Sequence, residues 1–183
     1  MPVISVGMSH SWVAFAIGSA LIIWFSWMVS IRARRYHGIA RFFAFEGILA
    51  LFLLNVPVWF HDPWSVLHVL SWIFLCGSFV LAIGSIRLYL KFAAPTTQFE
   101  NSSHLVASGI YRFIRHPMYG SLLLLGLGIY LKRVTAETSA LALVVVIALL
   151  ITALIEEGEM QARFGEEYTS YRRKTKRFIP FIF

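Results

Sequence analysis

Long apolar runs separated by short polar or basic stretches dominate the chain. The runs cover residues 12–31, 42–60, 64–90, 118–131 and 134–155. A helix needs ~20 apolar residues to cross the hydrocarbon core of a membrane, and every run except the fourth approaches that length. The pattern predicts an all-α integral membrane protein, a bundle of about five transmembrane helices. By length alone, 118–131 could be re-entrant rather than spanning.

The polar stretches divide the bundle into two parts. A turn at 61–63 contains Pro63, which disfavours helix in the residue before it. The segment 91–116 is polar and holds Gly, Ser and Thr, so it is not expected to span. We predict a single membrane domain over 1–183, in which 1–94 supply the first three helices and 95–183 form a second, polar-edged region.

Composition and charge agree with a membrane protein and exclude a nucleic-acid partner. Hydrophobic residues make up 58% of the chain, and the net charge of +7 comes from basic residues that lie between the apolar runs. Fourteen of the sixteen Lys and Arg fall in 32–41, 87–116 and the tail. Because basic loops face the cytosol, alternation of five helices predicts an external N-terminus and a cytosolic C-terminus. The oligomeric state stays open.

Several kinds of chemistry find no support in the sequence. Cys76 is the only cysteine, so an intrachain disulfide is excluded, and a small core residue is its simplest interpretation. No His, Asp and Glu spacing suggests a metal site. No Ser–His–Asp order or phosphate-binding glycine loop is present.

One polar constellation precedes the fourth apolar run. Arg115, His116, Pro117, Met118 and Tyr119 follow one another in 115–119. Pro suits the first turn of a helix, where its missing N–H costs nothing. The free N–H groups of that turn attract anions, and the Arg and His side chains add further donors. A binding site and a plain interfacial belt are both compatible with this pattern.

A second constellation is the carboxylate pair Glu156-Glu157, which ends the fifth run. Five of the nine carboxylates lie in 156–167, on the same predicted side of the membrane as 95–119. Successive helical side chains diverge by ~100°, so we expect only one of the pair to face a given site. The residues alone thus predict a cytosolic pocket formed by two polar patches of the C-terminal half.

Weaker signals lie within the apolar runs. Gly126 and Gly128 are interpreted as packing positions, since small residues let helices approach closely. Glu46 and Arg87 are intramembrane charges and therefore functional candidates, although each lies close enough to a membrane face to reach water.

Two stretches of the second half resemble a known family. The first is 104–119, His-Leu-Val-Ala-Ser-Gly-Ile-Tyr followed by Arg-His-Pro-Met-Tyr, and the second is Glu156-Glu157 with 164–168, Tyr171 and 177–180. Both are similar to isoprenylcysteine carboxyl methyltransferases and related membrane phospholipid methyltransferases. The resemblance covers roughly 97–181. It implies S-adenosylmethionine as cofactor, bound from the cytosol, and a lipophilic small-molecule or lipid-modified acceptor taken from the surrounding lipid.

The resemblance also implies roles for individual residues. Arg115 and Glu156 are the candidate catalytic residues, and Glu156 would hold the polar end of the cofactor. The residues expected to bind the cofactor are His104, Leu105, Val106, Tyr111, His116, Pro117, Tyr119, Glu156 and Glu157.

Two departures from the family pattern affect these expectations. Ser103 stands where the family His is usual, and His104 comes one position later. Prenylcysteine enzymes carry an Arg four residues before the first Glu of the pair, where this chain has Thr152. The acceptor therefore stays open between a prenylcysteine carboxylate and a phospholipid amine or thiol.

Two other interpretations remain. Membrane sterol or enone reductases that use NADPH share the Arg-His-Pro-x-Tyr element, but they usually place an acidic residue soon after the Tyr, where this chain has Gly120-Ser121-Leu122. A non-catalytic membrane protein that kept the fold would bind neither cofactor.

Overall fold

The protein is a bundle of helices. The structure, a computed structural model, describes residues 3–32, 35–61, 64–92 and 105–180, and within these ranges it contains no β-strand. A lone bridge pairs Ile114 with Lys176. The all-α prediction is confirmed. The α-helices are α1 (Val3–Ser26), α2 (His37–Asn55), α3 (Val66–Phe92), α4 (Pro117–Tyr130), α5 (Ala136–Phe164) and α6 (Glu166–Lys174).

In the described part of the chain, four helical segments are long and apolar enough to cross a membrane. They are Trp12–Ser30, His37–Val58, Val66–Phe92 and Ala136–Phe164. The fifth apolar helix, α4, has 14 residues. At about 1.5 Å per residue it is about 21 Å long, short of the ~30 Å hydrocarbon core. The prediction of about five membrane-embedded helices is therefore correct, and α4 is shorter than the other four.

The carboxylate pair Glu156-Glu157 lies in α5, which continues as a regular helix beyond the end of its apolar run. It begins at a reciprocal cap in which Thr135 and Thr138 each bond the other's backbone N–H. It ends at Phe164 because Gly165 has a φ of 54°, a conformation that costs little only for glycine.

The helices of the two halves pack on one another. Helix α2 lies against α5, α3 against α4, and α1 against α2. The glycines of α4 serve this packing, as expected. A Cβ on Gly128 would lie 2.9 Å from Leu75 Cγ, and one on Gly126 would lie 3.2 Å from Val145 Cγ1. Glycine is what lets these backbones approach.

Several polar side chains inside the bundle bond between helices. The Ser71 hydroxyl donates to the Gly128 carbonyl at 2.6 Å and so joins α3 to α4. Ser19 donates to the Glu46 carboxylate at 2.7 Å and joins α1 to α2, which gives Glu46 a structural partner. Arg87 is exposed on α3.

Lys132 lies in the turn between α4 and α5, which opposes the simple positive-inside pattern. It is 9% exposed, with its Nζ 3.0 Å from His68 Nε2 and 3.9 Å from the ring centroid of Trp72. Burial lowers the pKa of this ammonium. Lys132 is therefore a packed residue, held against His68 and Trp72 of α3 rather than exposed in the turn.

Candidate active site

A cavity of about 370 Å³ lies where the second half of the chain meets the first three helices. Its volume is within the ~300–1,000 Å³ of small-molecule and cofactor sites. Helices α1 to α3 supply Phe25, Arg41, Phe45, Ala82, Ile86 and Tyr89. The second half supplies Leu105, Val106, Tyr111, Arg115, His116, Pro117, Met118, Tyr119, Ser121, Leu122, Glu156, Met160, Tyr168 and Tyr171.

The structure brings most of the expected site residues together in this wall. The exceptions are Glu157, which is buried behind the wall, and His104, which lies outside the described residues. The residues found in the wall are Leu105, Val106, Tyr111, Arg115, His116, Pro117, Tyr119 and Glu156. Their roles toward a cofactor stay predictions.

The Arg-His-Pro element is held in place by the C-terminal tail. The N–H of Arg115 donates to the Lys176 carbonyl at 2.8 Å, and that of His116 to the Arg177 carbonyl at 3.1 Å. Pro117 then begins α4, where a missing N–H breaks no bond. This pairing explains why two motifs far apart in sequence form one site.

Arg115, Glu157 and Arg177 form a buried ionic cluster next to the cavity. Arg115 Nη2 lies 3.0 Å and Arg177 Nε 2.9 Å from Glu157 Oε1, and Arg177 Nη2 donates to Glu157 Oε2 at 3.1 Å. Arg115 Nη1 also donates to the Thr175 carbonyl. Its hydrogen bond to Glu157 raises the pKa of Arg177. The cluster ties the tail to α5 and to the segment before α4.

Glu156 is placed differently from its neighbour. It lines the cavity, and its Oε2 is buried and has no hydrogen-bond partner among the described residues. His116 Nδ1 lies 3.7 Å from that oxygen, and the His116 ring stacks on Tyr119 with centroids 5.5 Å apart. The wall therefore presents one carboxylate beside stacked rings. A buried acceptor without a donor is costly, so a ligand that donates there would be favoured.

Three tyrosines form the polar end of the cavity. Tyr171 Oη donates to the Tyr111 carbonyl at 2.7 Å, which links α6 to the loop before α4. Tyr168 Oη is buried without a hydrogen-bond partner in the described part of the chain. Burial raises the pKa of all three phenols, and the Glu156 charge adds to the rise at Tyr111. All three stay neutral donors at physiological pH.

Sequence reasoning missed part of this wall. Tyr168 and Tyr171 belong to the C-terminal stretch that carries the family resemblance, so that stretch was a usable signal for them. Arg41, Tyr89 and Met160 carry no motif and enter the wall only through helix packing.

Thr152 occupies the position of the family Arg. It is fully buried, its hydroxyl donates to the Ala148 carbonyl of the same helix at 2.7 Å, and it is not part of the cavity wall. The position thus serves helix packing here. Within the described residues, no group of three His, Cys, Asp or Glu side chains is arranged to hold a metal ion.

Comparison with known proteins agrees with this geometry. The family model for phospholipid methyltransferases matches residues 66–167, from α3 to the start of α6, which is more than half of the chain. The chain is also 26% identical to the protein-S-isoprenylcysteine O-methyltransferase of Schizosaccharomyces pombe, over 96% of this chain and 74% of that protein. The chain therefore belongs to the phospholipid methyltransferase family and is a membrane methyltransferase of the phospholipid and isoprenylcysteine type.

Proposed function

We propose that this protein transfers a methyl group from S-adenosylmethionine to a lipophilic acceptor drawn from the membrane. The observation that carries the proposal is Glu156, which lines a cavity rich in aromatic rings and whose buried Oε2 has no hydrogen-bond partner in the described residues. The cofactor has the complementary groups, namely an ammonium, a ribose diol and a cationic sulfur. Carboxylates and aromatic faces both stabilise such groups.

Different residues of the cavity would bind different parts of the cofactor. Glu156 would accept from the polar end of the cofactor, while Tyr111 and Tyr119 would pack on its rings. The buried Tyr168 hydroxyl offers a second polar contact. Bound S-adenosylmethionine would supply a methyl group attached to a positively charged sulfur. A lone pair of the acceptor would bond to the methyl carbon, and the electron pair of the carbon–sulfur bond would stay on sulfur. The chain's contribution is chiefly to hold donor and acceptor in line.

The acceptor would enter from the lipid side. Helix α1 packs on α2 and α3 packs on α4, and the cavity lies between these two pairs. Phe25 of α1 and Ile86 of α3 line the cavity and are 42% and 40% exposed. An apolar chain could therefore lie across this wall without crossing water. The positive-inside pattern favours a cytosolic position for the polar end.

Calorimetric titration of S-adenosylmethionine into detergent-purified protein tests the proposal, with NADPH as the parallel ligand. We expect saturable binding of the first, weakened about tenfold or more in Glu156→Gln, which removes a charged hydrogen-bond acceptor. Glu167→Gln is the matched control, since Glu167 is exposed on α6 and does not line the cavity. Binding of NADPH instead would indicate a reductase. Binding of neither ligand would indicate a non-catalytic protein.

A further inference from the structure

Tyr168 is a buried phenol of the cavity wall with an unused hydrogen-bonding group. It is 2% exposed, it lines the cavity, and its Oη has no hydrogen-bond partner in the described part of the chain. Buried polar groups nearly always have a partner, and one that lacks a partner needs a specific explanation. A bound molecule that accepts a hydrogen bond from Tyr168 is such an explanation, because the residue lies in the wall of a ligand-sized cavity.

The two neighbouring phenols of the wall already bond to the backbone. Tyr171 Oη donates to the Tyr111 carbonyl at 2.7 Å, and Tyr111 Oη donates to the Ser85 carbonyl at 3.4 Å. Since a phenol has a single O–H to donate, neither of these residues has a proton left for a ligand. Tyr168 is therefore the one of the three phenols that can donate to a bound molecule.

Helix α6 is bonded to two other parts of the protein close to Tyr168. Gln161 Nε2 donates to Thr169 Oγ1 at 3.0 Å, which joins α6 to α5. Arg115 Nη1 lies 3.3 Å from the Arg172 carbonyl, which joins α6 to the segment before α4. Tyr168 thus presents its hydroxyl from a helix that is held in place, and a ligand need not order that helix in order to bind.

The charges around Tyr168 leave its phenol protonated. Burial raises the pKa of Tyr168, and the negative charges of Glu157 and Glu156 add to the rise. The positive charges of Arg115 and Arg172 act against it, but the pKa stays above its usual value. The hydroxyl is therefore a neutral donor at physiological pH. Because charge effects weaken with distance, the effect of Glu156 also indicates that Tyr168 and Glu156 share one end of the cavity.

This end of the cavity has one place for a ligand cation and another for a ligand anion. Glu156 is the acidic residue of the described wall and would bind the cation. The charge of Glu157 is already engaged, with Arg115 Nη2 at 3.0 Å from its Oε1 and Arg172 Nε at 3.8 Å from its Oε2. The pKa of Tyr168 responds more strongly to Glu157 and Arg115 than to Glu156. Tyr168 is thus on the side of the paired charges, where an anionic group would avoid Glu156.

From this arrangement we propose that Tyr168 binds the carboxylate at the amino-acid end of S-adenosylmethionine, while Glu156 holds the ammonium on the same carbon atom. The proposal rests on the methyltransferase function proposed above. A hydrogen bond from a phenol to a carboxylate is charge-assisted and roughly twice as strong as one between neutral groups. A neutral donor offers this bond without adding another buried charge to the site. Tyr168 therefore makes the site selective for a cofactor that keeps both charged groups.

Calorimetric titration of two ligands into detergent-purified protein tests the proposal. The ligands are S-adenosylmethionine and its decarboxylated analogue, which keeps the nucleoside, the charged sulfur and the ammonium. They differ in the carboxylate, so a difference in affinity reports how that group is bound. We expect wild-type protein to bind S-adenosylmethionine about tenfold or more tightly than the analogue, as for a hydrogen bond to a charged group.

Variants then assign this preference to Tyr168. Tyr168→Phe should weaken the binding of S-adenosylmethionine about tenfold and leave that of the decarboxylated analogue unchanged, since only the first ligand has the carboxylate. Glu156→Gln should weaken the binding of both ligands, because both keep the ammonium. Tyr36→Phe is the matched control. It removes a phenol that is 70% exposed and does not line the cavity, so both affinities should match those of wild type.

The same titrations separate the failure of this proposal from that of the proposed function. Wild-type protein that does not bind S-adenosylmethionine would overturn the proposed function. If S-adenosylmethionine binds, equal affinity of wild-type protein for the two ligands would overturn the role of Tyr168, and that comparison depends on no variant folding. An equal loss for both ligands in Tyr168→Phe, or no loss for either, would also overturn it.

Discussion

Glu156 and Glu157 are adjacent on α5 but face different surroundings. Glu157 is 4% exposed and bonded to Arg115 and Arg177, whereas Glu156 lines the cavity with a buried oxygen that has no hydrogen-bond partner in the described chain. Helical geometry turns successive side chains by ~100°, which accounts for the separation. One carboxylate holds the fold together at the site, and the other is available to a ligand.

Removing the charge of Glu157 should therefore affect stability, whereas removing the charge of Glu156 should affect cofactor binding. Glu157→Gln removes the buried negative charge that Arg115 and Arg177 share, and we expect a loss of ~3–5 kcal/mol in the free energy of unfolding. Glu156→Gln changes only the longer 3.7 Å contact with His116 Nδ1, so its thermal midpoint should stay nearer that of wild type while cofactor affinity falls. Thermal unfolding in detergent, combined with S-adenosylmethionine titration, separates the two effects. Equal midpoints for both variants would contradict the structural role of Glu157.

The buried tyrosines predict an alkaline limit to stability. An unfolded tyrosine has a pKa of about 10, and burial raises the pKa of Tyr111, Tyr168 and Tyr171 above that value. Above pH ~10 the unfolded chain releases protons that the folded chain keeps, so stability falls as pH rises. For each such tyrosine, the free energy of unfolding falls by about 1.4 kcal/mol per pH unit between the pKa of the unfolded chain and that of the folded chain.

Tyr168→Phe is the variant that checks this limit. Its hydroxyl is buried without a hydrogen-bond partner among the described residues, so the substitution should cost little at pH 7. The drop in thermal midpoint between pH 10 and 11 should become shallower than in wild type. Tyr36→Phe is the matched control, because this phenol is 70% exposed. Identical slopes in all three proteins would contradict the prediction.

Close packing of α3 on α4 gives a prediction about glycine. A Cβ on Gly128 would lie 2.9 Å from Leu75 Cγ and 3.1 Å from the Leu75 backbone nitrogen, so Gly128→Ala must push the helices apart. We expect a loss of ~1–3 kcal/mol in the free energy of unfolding. Gly84→Ala is the control on α3, because its Cβ would meet no atom within 4 Å. Alanine there should be neutral or stabilising through its helix propensity, and a similar loss for both variants would argue against the contact.

Much of the fold and half of the site could be predicted from sequence. Apolar runs predicted the embedded helices because lipid requires continuous apolar length. The motifs around His116 and Glu156 predicted the part of the cavity wall that the C-terminal half supplies. Each motif holds more polar and aromatic residues than the end of a membrane helix requires. The rest depends on packing between distant helices. Arg41 reaches the cavity through the contact of α2 with α5, and the burial of Lys132 depends on His68 and Trp72 of α3. No local pattern encodes either contact.

The orientation of the bundle gives a last prediction, which bears on where the cofactor enters. The tail after α5 and the turn between α4 and α5 lie at opposite ends of α5, and the basic pattern predicts a cytosolic tail. Lys174 and Arg133 are exposed at these two ends. With Cys76 replaced by serine, a single cysteine at 174 should react with an impermeant maleimide only in inside-out vesicles, and one at 133 only in right-side-out vesicles. The reverse pattern would place the cavity on the external face and would require the cofactor to reach it from outside the cytosol.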